Sequence, residues 1–594
     1  MAEAKRGYGK KAGVWLMVSG LLLLHLLIAY SSSRRNSVVA DEPYHLARGA
    51  GLVFFRDFSF SVSHPPLINF FNALPLLTLS DLKLPDPSLV LKSKTMDPSD
   101  RRNVFAHLLV QELNPDTRRI INRARIATMI LSLLFGLGIF FWAKELFGEE
   151  AGLWALFLYC LDPNILAHSH LVTNDLGISF FILLSLYFYW RLFKRPNAVS
   201  LGLAGLFLGL AQLSKFTALL LYPLFLMLWL ISFWNLKKRT PGLSWVKIRK
   251  PDFYLNLWSL LLIFLSSLLL IWAGYGFQGN LRWNFEILMK GEICQLGSLS
   301  AWIKCGLVEG LFRIPLPPRT FYYGFARTLL LSEQHENALY FLGQISRKGW
   351  WYYYPILFLI KTPLPTLILL ALALWFRKRI KTDKFFTKIF LIAPIIWFFF
   401  CFVLFNRKEI GIRHLLMIYP LIFIFSSGLA TLVPDSRRLK LWLGVLSVWL
   451  AISSLLTWPN YLTYFNEAVG RRWGGLKISV LGEDWGQDLD ALARDQKRHH
   501  LYPLYYQPYV IVNPESYGLV AEELNCDSAP AGYYAMHLTQ LVRPLKSPAL
   551  IKCISLLKPT EPISKLRGTI WVWKINEPAR PDFQENSAPA APID

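Results

Sequence analysis

Residues 151–193, AGLWALFLYCLDPNILAHSHLVTNDLGISFFILLSLYFYWRLF, are apolar at both ends and interrupted in the middle by Asp162, Pro163, Asn164 and the polar stretch His168 to Asp175. Proline removes a backbone donor, and polar groups in hydrocarbon need partners, so the run reads as two membrane spans joined by a short non-helical turn. That split decides on which side of a membrane every later segment falls.

Working outward with a window of about 19 residues, further candidate spans lie near 13–30, 120–143, 199–213, 216–234, 255–275, 352–376, 386–405, 414–433 and 439–458. With the split pair near 151–170 and 176–193 they make about eleven spans. Composition agrees. Hydrophobic residues are 54% of the chain against 17% charged, with mean hydropathy +0.35, too apolar for an ordinary soluble enzyme or a disordered chain. The 22 Trp and 25 Tyr suit the boundary between hydrocarbon and head groups.

The net charge of +24 would suggest nucleic acid in a soluble protein, but here the basic residues cluster in alternate loops. Lys5, Arg6, Lys10 and Lys11 precede the first apolar run, which reads as an uncleaved anchor with the N-terminus inside. Lys194 and Arg195, the group from Lys237 to Lys250, the group from Arg377 to Lys388, and Arg437, Arg438 and Lys440 then fall on that same side. No nucleic-acid partner is expected. Two long loops, about 31–119 and 276–351, and the whole tail fall on the outside. Cys294 with Cys305, and Cys526 with Cys553, share outer segments and are candidate disulfides or free thiols.

The expected fold is an all-α polytopic membrane protein, residues 1–458, followed by a small extracytoplasmic α/β domain, 459–575, and a disordered tail, 576–594. Within 459–575, the β-rich runs 477–481, 509–512 and 569–573 alternate with a polar helical stretch, Asp488 to His499. His25, inside the first span, reads as buried against a neighbouring helix.

Ionisable groups at membrane depth are costly and are functional candidates by default. Asp41 and Glu42 follow the first span, Asp175 sits in the turn of the split pair, Lys215 opens the 216–234 span and Lys361 lies within 352–376. Arg407, Lys408, Arg413 and His414 stand at the start of 414–433. All lie near the outer ends of their helices. Such a layer suits a carboxylate that activates a hydroxyl and cations that hold a lipid-linked phosphate. Asp41 before Glu42-Pro43 equally has the form of a helix N-cap, and Lys215 and Lys361 the form of lysines snorkelling to head groups. No phosphate-cradling glycine loop and no metal-ligand spacing appears, so no cofactor is required and no metal site is assigned, with a divalent ion left open.

The residues also carry a resemblance. ADEPYHLARG (40–49) with SHPPL (63–67), HLVTNDLG (170–177), GLAQLSKFTALLLYP (209–223), YFLGQISRKGWWYYYPILFLIKTPLP (340–365), IGIRHLLMIYP (410–420), YLTYFNEAVG (461–470) and DWGQDL (484–489) occur in this order. As a set they resemble the GT-C class of integral-membrane glycosyltransferases, most closely the protein O-mannosyltransferase and aminoarabinose transferase group that uses polyprenyl-phosphate sugars. The resemblance implies Asp41 as general base, Glu42 as its partner and Asp175 as a second acid. It implies Lys361 and Arg413 near the lipid phosphate, with Lys215, His64 and His414 as further donor-site candidates.

Asp484, Gln487 and Asp488 form a tail turn, structural or in contact with the acceptor. Two positions depart from the pattern: Met417 stands where a proline is usual, and Gly482-Glu483 precede DWGQDL where small polar residues are usual. The implied reaction is inverting transfer of a hexose or pentose from a polyprenyl-phosphate donor to a protein, lipid or glycan acceptor. The implied place is the outer face of a membrane, the plasma (inner) membrane in a bacterium. The alternative is a transporter that binds and flips such a lipid without sugar chemistry.

Overall fold

The computed structural model describes residues 2–86, 98–239, 255–278, 305–310, 317–331, 339–380, 386–405, 409–470, 477–524, 526, 528–542 and 548–576. Cys294, Arg407, Lys408, part of the expected inner basic loops and the expected disordered tail lie outside them.

The protein is a predominantly helical, multi-pass integral membrane protein. Among the described residues, seven helices are long and apolar enough to cross a membrane: Lys11–Arg35, Thr117–Phe147, Asp175–Lys194, Phe216–Leu236, Leu257–Gly274, Ile412–Asp435 and Arg437–Thr457. The pair Tyr353–Lys361 and Leu364–Trp375 makes an eighth if counted as one span, although it is bent by 107°. That makes seven or eight among the described residues, where hydropathy suggests about eleven. Of the other expected spans, Phe386–Phe405 has 20 residues with Pro394 inside it, whereas two are shorter: Ala198–Gln212 has 15 residues and Glu149–Leu161 has 13. At 1.5 Å per residue these reach about 22 and 20 Å, against a hydrocarbon core of about 30 Å.

The breaks have local causes. Asp162 caps the short Pro163–His168 helix by accepting from the backbone N–H groups of Asn164 and Ile165, at 2.9 and 3.1 Å. In the bent pair, Pro363 and Pro365 have no N–H to offer the carbonyls of Leu359 and Lys361 four residues earlier. Asn466 Nδ2 donates to Leu359 O at 2.6 Å, its backbone N–H to Ile360 O at 2.8 Å, and Asn164 Nδ2 to Lys361 O at 2.7 Å. The two broken segments thus satisfy one another, and Lys361 is held at the bend.

Burial sorts the helices. The Asp175–Lys194 and Ile412–Asp435 spans are 78% and 83% buried, whereas Lys11–Arg35, Leu257–Gly274 and Arg437–Thr457 are each 28% buried. The two innermost spans are those whose first residues carry Asp175 and Arg413. His25 packs as expected, with Nε2 2.7 Å from Ser132 Oγ and Nδ1 3.0 Å from Cys160 O.

The C-terminal segment forms a four-stranded sheet in the order Leu504–Tyr506, Gly532–His537, Ile570–Ile575, Ser564–Leu566. The first pair is parallel, Leu504 opposite Tyr533, and the other two are antiparallel. The Leu489–His499 helix stands where a helix is expected. Residues 477–481 and 509–512 are not strands, a correction to the sequence reading. Ile478 instead gives its carbonyl to Leu342 N–H at 2.7 Å, and Val510 and Val512 are buried in the apolar cluster shared with Leu46 and Leu489. Cys526 and Cys553 are disulfide-bonded, and Cys305 is also in a disulfide.

Candidate active site

Asp41 stands at the N-cap position of the Glu42–Phe55 helix, with Pro43 in the first turn, yet its side chain makes no cap hydrogen bond. Its Oδ2 accepts from Arg413 Nη1 at 2.5 Å instead. The same Nη1 is 3.8 Å from Asp175 Oδ2, and Lys215 Nζ donates to Asp175 Oδ1 at 2.6 Å. Residues from four separated stretches thus form one alternating chain of charge, Lys215, Asp175, Arg413, Asp41. The Arg413 guanidinium lies 4.2 Å over the Trp485 ring, which keeps its plane fixed.

Exposure separates the two acids. The Asp175 side chain is 3% exposed and that of Asp41 is 37% exposed. Asp41 is therefore the carboxylate that a ligand can reach. Burial pushes its carboxyl up, but the charge and hydrogen bond of Arg413 outweigh that and hold it below the ordinary aspartate value.

Glu42 points away from this group, as adjacent residues about 100° apart on a helix must. It is fully buried and accepts from Arg125 Nε at 2.8 Å, Arg125 Nη2 at 2.7 Å, Val39 N–H at 2.9 Å and Val172 N–H at 3.0 Å. Arg125 also donates to the carbonyls of Ser33, Asn36 and Ser37, at 3.0, 3.0 and 2.8 Å. The pair clamps the 33–42 connection that carries Asp41.

The tail turn closes the other side of that connection. Ser37 N–H donates to Gln487 O and Ala40 N–H to Trp485 O, both at 2.8 Å. Asp484 is engaged by His537 Nδ1 and Thr539 N–H, each at 2.9 Å, and Asp488 by Asn460 Nδ2 at 2.7 Å and Thr569 Oγ1 at 2.6 Å. Gln487 donates to Glu483 O at 2.6 Å and accepts from Trp485 N–H at 2.8 Å. All three polar side chains hold the turn. Gly482, at φ +105°, abuts Gly411, and an added Cβ would meet Gly411 N at 2.8 Å. Any side chain there would push the turn away from Arg413.

Lys361 is buried and pairs with Glu483 Oε1 at 3.3 Å, donates to Leu462 O at 2.8 Å and lies 4.6 Å over the Phe465 ring. His414 sits with Nδ1 2.9 Å from Tyr354 OH, and its ring stacks with Phe402. His64 lies beside His45, ring centroids 5.0 Å apart. Buried His168 packs edge-on against the Trp485 ring, centroids 5.9 Å apart.

Three residues of this region were not singled out from the sequence. Arg125, inside an apolar run, was detectable by the same rule that found Lys361. His45 and Arg48 follow Asp41 at i+4 and i+7, one face of a helix. Burial lowers the His45 pKa to about 4, aided by the charge of Arg48, so its ring is neutral at neutral pH. Arg48 is 3% exposed, and its Nε has no hydrogen-bond partner among the described residues. Burial, and then the charge of Arg102, lower its pKa as well. Among the described residues, no group of three or more His, Cys, Asp or Glu side chains gathers as a metal site.

Fold and site together define a class: a polytopic membrane protein whose innermost helices begin at a charged layer of paired acids and bases, one acid of which is accessible. Within that class, residues 120–272 match the family model of the dolichyl-phosphate-mannose-protein mannosyltransferases, in agreement with the motif resemblance. No curated protein sequence matches the chain. Among solved structures the chain is similar to ArnT from Cupriavidus metallidurans bound to undecaprenyl phosphate, at 12% identity and TM-score 0.45, covering 94% of this chain and 98% of that one. It is also similar to the oligosaccharyltransferase AglB from Archaeoglobus fulgidus in complex with an inhibitory peptide and a dolichol-phosphate, at 13% identity and TM-score 0.36, covering 84% of this chain and 60% of that one.

Proposed function

We propose that the protein is a glycosyltransferase that moves a sugar from a polyprenyl-phosphate donor to an acceptor hydroxyl at the outer face of a membrane. The observation that carries this reading is the accessible Asp41 carboxylate, held ionised by Arg413, which also faces the Lys215–Asp175 pair. The family match over 120–272 and the ordered motifs support it.

In the proposed step Asp41 takes the acceptor proton, the acceptor oxygen bonds the anomeric carbon, and the bond from that carbon to the phosphate oxygen breaks. The polyprenyl phosphate leaves with its electron pair, and the configuration inverts. Charge that develops on the leaving group needs nearby cations. Arg413, Arg48 and Lys361 are the candidates, with Lys215 holding Asp175 in place. A phosphate that drew Arg413 from Asp41 would remove the charge that lowers its pKa, and the base would strengthen as the donor arrives. Glu42 is a positioning residue through Arg125, and the Asp484–Asp488 turn supports Trp485 beneath Arg413.

The test is sugar transfer from a panel of radiolabelled polyprenyl-phosphate sugars by the purified protein in nanodiscs, with membrane extract as the acceptor source. Transfer from one donor supports the reading and names the sugar. Binding of lipid phosphates without transfer, beside active control enzymes, would replace it with the transporter.

A further inference from the structure

A second concentration of charge lies on the lipid-facing side of the same end of the helices, between Lys11–Arg35 and Thr117–Phe147. A cavity of about 580 Å³ is lined there by Arg34, Arg118, Arg119, Arg123 and Asn122, with Tyr30, Ile126 and Met129 along its lower edge. Three of the four arginines stand in the first two turns of the Thr117–Phe147 helix. The unpaired N–H groups of a helix N-terminus disfavour cations and attract anions. In the orientation proposed above they also lie on the side that basic residues avoid.

The protein's own acids neutralise only part of this charge. Asp81 pairs with Arg119 at 2.6 Å and Asp490 with Arg118 at 3.6 Å, while Asp116 caps the helix by accepting from Arg119 N–H at 2.9 Å. Among the described residues Arg34 and Arg123 have no carboxylate partner. Below the cavity the two helices present exposed apolar side chains: Tyr30 at 53%, Leu27 at 55%, Ile126 at 38% and Ile130 at 55%. A soluble anion would have no use for that apolar edge, and a lipid would cover it.

We propose that this cavity binds the phosphate head group of an anionic membrane lipid, with the acyl chains lying along the Leu27 and Ile130 side of the two helices. The inference is independent of sugar transfer. It also gives the lipid a structural consequence, because Ser33, which lines the cavity, gives its carbonyl to Arg125, seven residues after Arg118 on the Thr117–Phe147 helix, and Arg125 clamps the Asp41 connection. Lipid seated between the two helices would brace that clamp.

The experiment is native mass spectrometry of the full chain released from micelles containing dioleoylphosphatidylglycerol, with dioleoylphosphatidylcholine as the zwitterionic comparison. At about 1 kcal/mol of lipid attraction per basic side chain, Arg34→Gln with Arg123→Gln is expected to weaken phosphatidylglycerol retention about thirtyfold. Arg34→Lys with Arg123→Lys should keep most of it. Lys194→Gln with Arg195→Gln, the same charge change at the other end of the helices, should leave it unaltered, and thermal unfolding of each variant reports its folding. Equal retention by the wild type and the folded Gln double variant would overturn the proposal. So would displacement of the lipid by millimolar inorganic phosphate, which would make the cavity a site for free anions.

Discussion

Replacing Arg125 by Met tests whether the Asp41 connection is held as described. The substitution keeps an unbranched side chain of similar reach but removes two charge-assisted bonds to Glu42, at 2.8 and 2.7 Å, and the donors to three carbonyls at 33, 36 and 37. Glu42 retains only the N–H groups of Val39 and Val172. Breaking a fully buried pair on one side leaves an uncompensated charge and costs about 3–5 kcal/mol. For a chain of this size, at about 2.1 cal/mol/K of unfolding entropy per residue, that lowers the unfolding midpoint by roughly 2–4 °C. The assay is thermal unfolding in one detergent for wild type, Arg125→Met, Glu42→Gln and the double variant. The double variant should recover part of the loss, because no unpaired charge remains, and Arg125→Lys should fall between, since ammonium cannot match the fork. An Arg125→Met midpoint within about 1 °C of wild type would refute the clamp.

Other expectations follow from the same contacts. Arg413→Gln removes the charge that keeps the Asp41 pKa low, so the acid limb of the transfer rate against pH should move to higher pH. The sign is that of a base active when ionised: activity is present above its pKa and lost as pH falls through it. Glu483→Gln takes the counter-charge from Lys361; the variant should unfold at lower temperature yet bind a short polyprenyl phosphate several-fold more tightly, as measured by thermal scan and by calorimetric titration. Cys553→Ser opens a loop whose ends are 27 residues apart, which should cost the C-terminal segment about 3 kcal/mol, read as a lower denaturant midpoint and matched in wild type by adding reductant.

Much of this architecture was legible because hydrocarbon leaves few choices. The Asp162-Pro163 break and the acids at helix ends follow from the cost of unpaired polar groups in lipid. Span lengths were less legible, since hydropathy sees Pro363 and Pro365 as apolar while the backbone bends by 107° there. The site divides in the same way. Asp41, Asp175, Lys215 and Arg413 were each visible as costly residues, but that Arg413 meets Asp41 across 372 positions depends on how the innermost helices pack. Glu483 stood out as a departure from pattern, and its reason, the charge of Lys361, appears only when the tail is folded onto the bend. The strand errors at 477–481 and 509–512 have a related cause: β-branched residues were chosen there for burial against helices rather than for pairing in a sheet.

The most direct test of the account is the single-turnover rate of sugar transfer by Asp41→Asn against wild type, with donor saturating and lipid binding measured in parallel. Loss of a positioned base predicts a rate lower by about 10²–10⁴ with donor binding retained. Transfer at the wild-type rate by Asp41→Asn would contradict the account and leave Asp41 as a residue that only anchors Arg413.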